Sequence, residues 1–134
     1  MDKELETRRM KRENAVAVCQ RLNVNPWRVA YSLDVERGKC WIEFEKPFNY
    51  LLFKGQKKVD ISIPVDVNKL SEIKEKIQRD YPNADKGEVQ RREAIYFLQQ
   101  YASKEKDLQK ASICKWTIAD LEFDNVAFKL MNKS

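Results

Sequence analysis

The chain of 134 residues contains no histidine. Imidazole is the usual proton carrier at neutral pH. Its absence removes Ser-His and Cys-His nucleophile activation, the HExxH zinc site and histidine acid–base catalysis. Glycine is nearly as scarce. Gly38, Gly55 and Gly87 stand alone, so no glycine-rich loop can gather backbone N–H groups around a phosphate. That excludes nucleotide hydrolysis on a P-loop and dinucleotide redox chemistry. The three cysteines, Cys19, Cys40 and Cys114, are odd in number and widely separated. None has metal-ligand spacing, and they read as reduced core thiols. No apolar run approaches the ~18 residues that suggest a membrane span. The opening Met1-Asp2-Lys3-Glu4 is too charged for the apolar core of a signal peptide. These absences predict a single cytoplasmic domain that is not an enzyme, holds no cofactor or metal and does not enter a membrane.

What is present is charge and short-range pattern. Hydrophobic residues make up 43% of the chain and charged residues 35%. The 26 basic residues against 21 acidic ones give a net charge of +5. That surplus favours an anionic partner such as nucleic acid, although mixed surface charge also serves solubility.

The central stretch, 27–65, reads as four strands. Trp27, Val29, Tyr31, Leu33 and Val35 alternate with polar or small residues, the period of a half-buried strand. Gly38 marks a turn. Cys40, Ile42 and Phe44 resume the alternation, with Trp41, Glu43 and Glu45 on the other face, and Pro47 closes the strand. An apolar run at 48–53, a turn at Gly55 and a last alternation through Val59, Ile61, Ile63 and Val65 complete the set. Short connections favour antiparallel neighbours. The expectation is an α+β fold: an N-terminal helix, a four-stranded antiparallel meander, then two or three helices packed on one face of the sheet.

Helical spacing appears on both sides. Residues 2–22 read as a helix with Ala15, Val18, Cys19 and Leu22 on one face. A second helix is expected at 66–81, capped by Asp66, with Leu70, Ile73, Ile77 and Tyr81 as its stripe. A third is expected at 86–103, where Asp85 and Glu88 have capping-box spacing. The tail at 111–131 fits one helix face or a hairpin around Asp124-Asn125. Thr117 and Asp120 as possible caps tilt the choice toward helix.

Three constellations could carry function. Arg8, Arg9, Lys11 and Arg12 are the densest basic cluster and could contact phosphates. Lys54, Lys57 and Lys58 gather at one end of the expected meander and could neutralise a nucleic-acid backbone, while the outward ring of Trp41 could stack on a base. Glu43 and Glu45, with Asp34 across the preceding turn and Lys46 adjacent, could bind Mg²⁺ in a nuclease, although Lys46 follows Glu45 directly instead of at the usual Glu-x-Lys spacing.

Four meandering strands followed by a helix, over about residues 27–81, resemble the unit of Whirly and PUR-type single-stranded nucleic-acid-binding proteins. The resemblance is architectural and assigns no residue roles. It implies a non-enzymatic binder of single-stranded DNA or RNA. The competing expectation is a protein-interaction module, that is an accessory subunit, an inhibitor or a homodimer. It is drawn from the mixed-charge surface and the apolar tail Trp116–Met131. A metal-dependent nuclease is third.

Overall fold

The structure is a computed structural model that describes residues 2–22, 24, 27–30, 40–47 and 63–132. For 27–30, 40–47 and 132 it describes the backbone alone. Four helices dominate: α1 (Lys3–Arg21), α2 (Val67–Asp80), α3 (Lys86–Lys104) and α4 (Leu108–Asn132). Where side chains are described, 84% of the residues are helical and Ile63–Val65 is the one short strand.

Each helix begins on an aspartate whose carboxylate accepts from free N–H groups of the first turn. Asp2 accepts from the Glu4 and Leu5 amides at 2.9 and 3.1 Å. Asp66 accepts from the Asn68 amide at 3.0 Å, and Asp85 from the Glu88 amide at 2.8 Å. Asp107 accepts from the Gln109 amide at 2.9 Å. Only half of the expected capping box forms at Asp85, because the Glu88 carboxylate turns instead to Arg92 Nε at 2.9 Å.

The tail is one continuous helix and no hairpin. Thr117 and Asp120 lie in its interior, and the Thr117 hydroxyl donates to the Ile113 carbonyl at 2.9 Å. The charged stretch before it contains the break at Glu105–Asp107, between α3 and α4.

α4 lies between α1 and α3, and its contacts with these two helices are the most extensive among the described elements. Arg8 meets Glu122 while Cys19 meets Ser112, so α1 and α4 run antiparallel. The main core joins Ile73 and Ile77 of α2, Val89, Ala94, Phe97 and Leu98 of α3, and Cys114 of α4. Ile63 and Val65, 2% and 5% exposed, add one strand edge to it.

The expected fold class is therefore corrected. The core forms between helices, and this is not an α+β fold built on a four-stranded antiparallel meander. The strand backbone comprises β1 (Trp27–Ala30), β2 (Cys40–Pro47) and β3 (Ile63–Val65). β1 pairs antiparallel with the end of β2, with an irregularity between Trp27 and Val29. β3 pairs antiparallel with the start of β2, Cys40 opposite Val65 and Ile42 opposite Ile63. A meander would seat the last strand beside 48–53, so the described pairing breaks the expected order. The expected strand at 48–53 and the early part of the last one lie outside the described residues. Alternation reports local extended backbone and says nothing about which layers bury each other. Here α3 and α4 supply broad apolar surfaces that satisfy one another. The architectural basis for the resemblance to Whirly and PUR-type proteins falls with the meander.

Tyr81 also departs from expectation. α2 stops at Asp80, before Pro82, and Tyr81 becomes its C-cap, 43% exposed, instead of the last rung of an apolar stripe.

Candidate functional site

The basic cluster of α1 lies on or beside the seam with α4. Arg8 reaches Glu122 at 2.6 Å. Arg12 approaches Asp120 at 3.6 Å and lies 3.9 Å above the Phe123 ring. Arg9 is held within α1 by Glu6 and by Glu13, the latter at 2.5 Å, and its hydrogen bond to Glu6 lowers that carboxyl's pKa. Lys11 is exposed. Three of the four expected phosphate-contacting cations thus carry an intramolecular carboxylate. Trp41, Glu43, Glu45 and Lys46 fall on β2, where the structure describes no side chains. Lys54, Lys57 and Lys58 lie outside the described residues.

A different site emerges where α2 turns into α3. The chain reverses at Pro82-Asn83, with the Ala84 amide donating to the Tyr81 carbonyl at 3.0 Å. The reversal leaves a groove of about 670 Å³ between the two helices. Its apolar surface comes from Leu70, Tyr81, Pro82, Ala84 and Val89, with Gln78 and Gln90 supplying carboxamides. Three charged residues border it: Lys74, Lys86 and Glu93. Glu93 is 3% exposed, so the exposed charge of the lining is Lys74 and Lys86. A groove of this size with mostly apolar walls and a few polar groups falls within the range of ligand and peptide sites. Sequence reasoning missed it. Lys74 and Lys86 looked like ordinary solvated charges, and only the helix reversal sets them along one groove. The available signal was Lys74 one turn beyond Leu70, facing a second helix that begins at Lys86.

The base of the hairpin meets the end of α4. Arg92 lies 3.5 Å above the Tyr81 ring, and Arg91 lies 4.9 Å above the Phe128 ring. Arg91 Nε donates to Oδ1 of buried Asn125 at 2.5 Å. Both rings remain over two-fifths exposed. A cleft of about 510 Å³ runs between Tyr81, Arg91 and Lys129, but Asp80, Asp85 and Glu88 also border it. Its charge is mixed, so it selects no sign of ligand.

Burial governs the described thiols. Burial pushes the Cys19 thiol up to about 11 and the Cys114 thiol up to about 12, so neither is a thiolate nucleophile at neutral pH. Burial and a hydrogen bond to Glu105 raise the Tyr101 phenol, and that same bond lowers the Glu105 carboxyl. Among the described residues, no group of three or more His, Cys, Asp and Glu side chains is arranged to hold a metal ion. No helix among them is long and apolar enough to cross a membrane. Comparison of the chain with protein families, curated proteins and solved structures found no match.

Proposed function

We propose that this chain is a non-enzymatic protein-interaction module that holds a segment of a partner protein in the α2–α3 groove. The observation that carries the reading is the groove itself, about 670 Å³ with apolar walls and exposed carboxamides. Two helices side by side offer the geometry in which peptide segments dock by apolar anchors. Tyr81, at its end, is of the residue type that often dominates interface energetics. A photo-crosslinking residue at exposed Gln90 tests the proposal in the native cell. The expected result is a discrete protein adduct that disappears when Leu70→Asp fills the groove wall with charge. A nucleic-acid adduct, or a protein adduct unaffected by Leu70→Asp in a chain that stays helical, overturns it.

Nucleic-acid binding is the second reading, favoured by Tyr81 and Phe128, each an exposed ring beside an arginine. Exposed rings stack on bases and guanidinium groups meet phosphates. Titration of labelled single-stranded and duplex DNA and RNA at two salt concentrations checks it. Salt-dependent binding weakened in Tyr81→Ala and Phe128→Ala supports this reading, and absence of binding at low salt removes it.

A further inference from the structure

We infer that the segment accepted by the α2–α3 groove is acidic: a peptide stretch of a partner protein that carries carboxylates on either side of apolar anchors. The inference deepens the protein-interaction reading and rests on it.

The ground is charge complementarity. On the described surface, four arginines are answered within the chain. Arg8 has Glu122, Arg9 has Glu6 and Glu13, Arg12 has Asp120, and Arg92 has Glu88. Among the described residues, Arg21, Arg79, Arg91 and the lysines have no such carboxylate, and of these cations Lys74 and Lys86 are the two that line the groove. Both are exposed on the groove lining, and neither has a carboxylate within ion-pair distance among the described residues. The lining carboxylate, Glu93, is 3% exposed and adds little to the charge an occupant meets. Lys74 comes from the middle of α2 and Lys86 from the first turn of α3. The two cations thus stand on opposite helices, and Leu70 and Val89 are among the apolar groups of the same lining. An occupant that buries a leucine-like side chain against those groups passes both ammonium groups. A carboxylate beside each gains attraction, whereas a basic occupant meets repulsion on both sides. Lysine is suited to this role, because its flexible point charge follows a carboxylate without demanding a fixed geometry.

The test uses fluorescence anisotropy with three labelled peptides of equal length. One is an amphipathic leucine–glutamate peptide, one its leucine–lysine counterpart, and one a serine–glutamate peptide without anchors. The leucine–glutamate peptide is expected to bind, and more weakly as salt rises. The lysine counterpart and the anchorless peptide are expected to bind at least roughly tenfold more weakly, since each lacks one of the two required features. The double variant Lys74→Glu/Lys86→Glu should weaken the leucine–glutamate peptide by roughly tenfold or more and improve the lysine counterpart. Both positions are exposed, so the variant should keep the parent's circular dichroism spectrum and thermal midpoint, which checks that the fold survives. Three results would each overturn the inference: no binding of the leucine–glutamate peptide, equal binding of the lysine counterpart, or undiminished binding by the folded double variant. Failure here is distinct from failure of the broader reading. A protein adduct at Gln90 whose crosslinked segment is basic sinks the acidic partner alone, whereas a nucleic-acid adduct sinks both.

Discussion

α4 is packed on two sides by two different kinds of chemistry. Against α3, which in turn packs on α2 and β3, the contact is apolar, with Val89, Ala94, Phe97, Leu98 and Cys114 joined to Ile73 and Ile77. Against α1 it is largely ionic. Cys19 is the one buried residue of that 19-residue helix. Its apolar contact is a small plug of Ala15, Val16 and Cys19 around Trp116, and Arg8 and Arg12 meet Glu122, Asp120 and Phe123 along the rest. Area buried sets the strength of the first side, at about 25 cal/mol per Å² of apolar surface. On the second, partly exposed ion pairs contribute about 0–1 kcal/mol each. A helix can therefore belong to a fold through charge placement, yet be held there weakly.

This contrast can be broken by experiment, and the largest effect is expected in the apolar half. Leu98 is fully buried, and Leu98→Ala should destabilise the chain by about 2–5 kcal/mol, read from denaturant unfolding. A loss below about 1 kcal/mol would show that α3 and α4 are not the stabilising pair.

The next effect is a loss of stability in alkali. Cys19 and Cys114 have thiols raised from an ordinary value of 9.0 to about 11 and about 12. The folded state keeps these protons where the unfolded chain releases them. Their contribution is full below pH 9.0 and is lost as pH rises through the folded values of about 11 and about 12. Tyr101, raised in the same direction, adds to the slope. Denaturant midpoints should fall steeply above pH 9.0 in the parent. The fall should be shallower in Cys114→Ala when that variant is scaled to its own neutral-pH stability. An unchanged slope would place the Cys114 thiol in contact with water.

The smallest effect belongs to the ionic seam. A double-mutant cycle on Arg8→Ala and Glu122→Ala should give a coupling of about 0.2–1 kcal/mol that shrinks as salt is added. A coupling as large as the Leu98→Ala loss would erase the distinction between the two sides of α4. The peptide titrations with Lys74→Glu/Lys86→Glu extend the same logic to the groove, where the lysines lack the carboxylates that the seam arginines possess.

Much of the local structure was legible in the residues. Asp66 and Asp85 act as helix caps because a carboxylate beside free amides is a local interaction, independent of the rest of the chain. Ile73 and Ile77 are buried at helical spacing. Other features were hidden for definable reasons. α4 is buried toward both α1 and α3 along Ala111–Cys114 and at Trp116, Thr117, Ala119 and Asp120. It therefore shows no single stripe to separate a helix from a hairpin. Arg8 and Arg12 looked like a free basic surface, because their acidic partners lie more than a hundred residues away in sequence. The candidate groove was illegible for the same reason, since Lys74 and Lys86 become neighbours of one cleft only after the reversal at Pro82-Asn83.

The sequence by itself determined the chemistry that is missing. Without histidine or clustered glycine, the common nucleophile–base and phosphate-loop sites cannot be built in any fold. It also determined where α2 and α3 start, because caps and short-period stripes act over a few residues. Tertiary structure alone decided what those helices bury and which charges remain unanswered. Burial and ion pairing depend on residues brought together from distant positions. Alternation at 27–65 could therefore suggest a dominant sheet, while the main core formed where α2, α3, α4 and β3 meet.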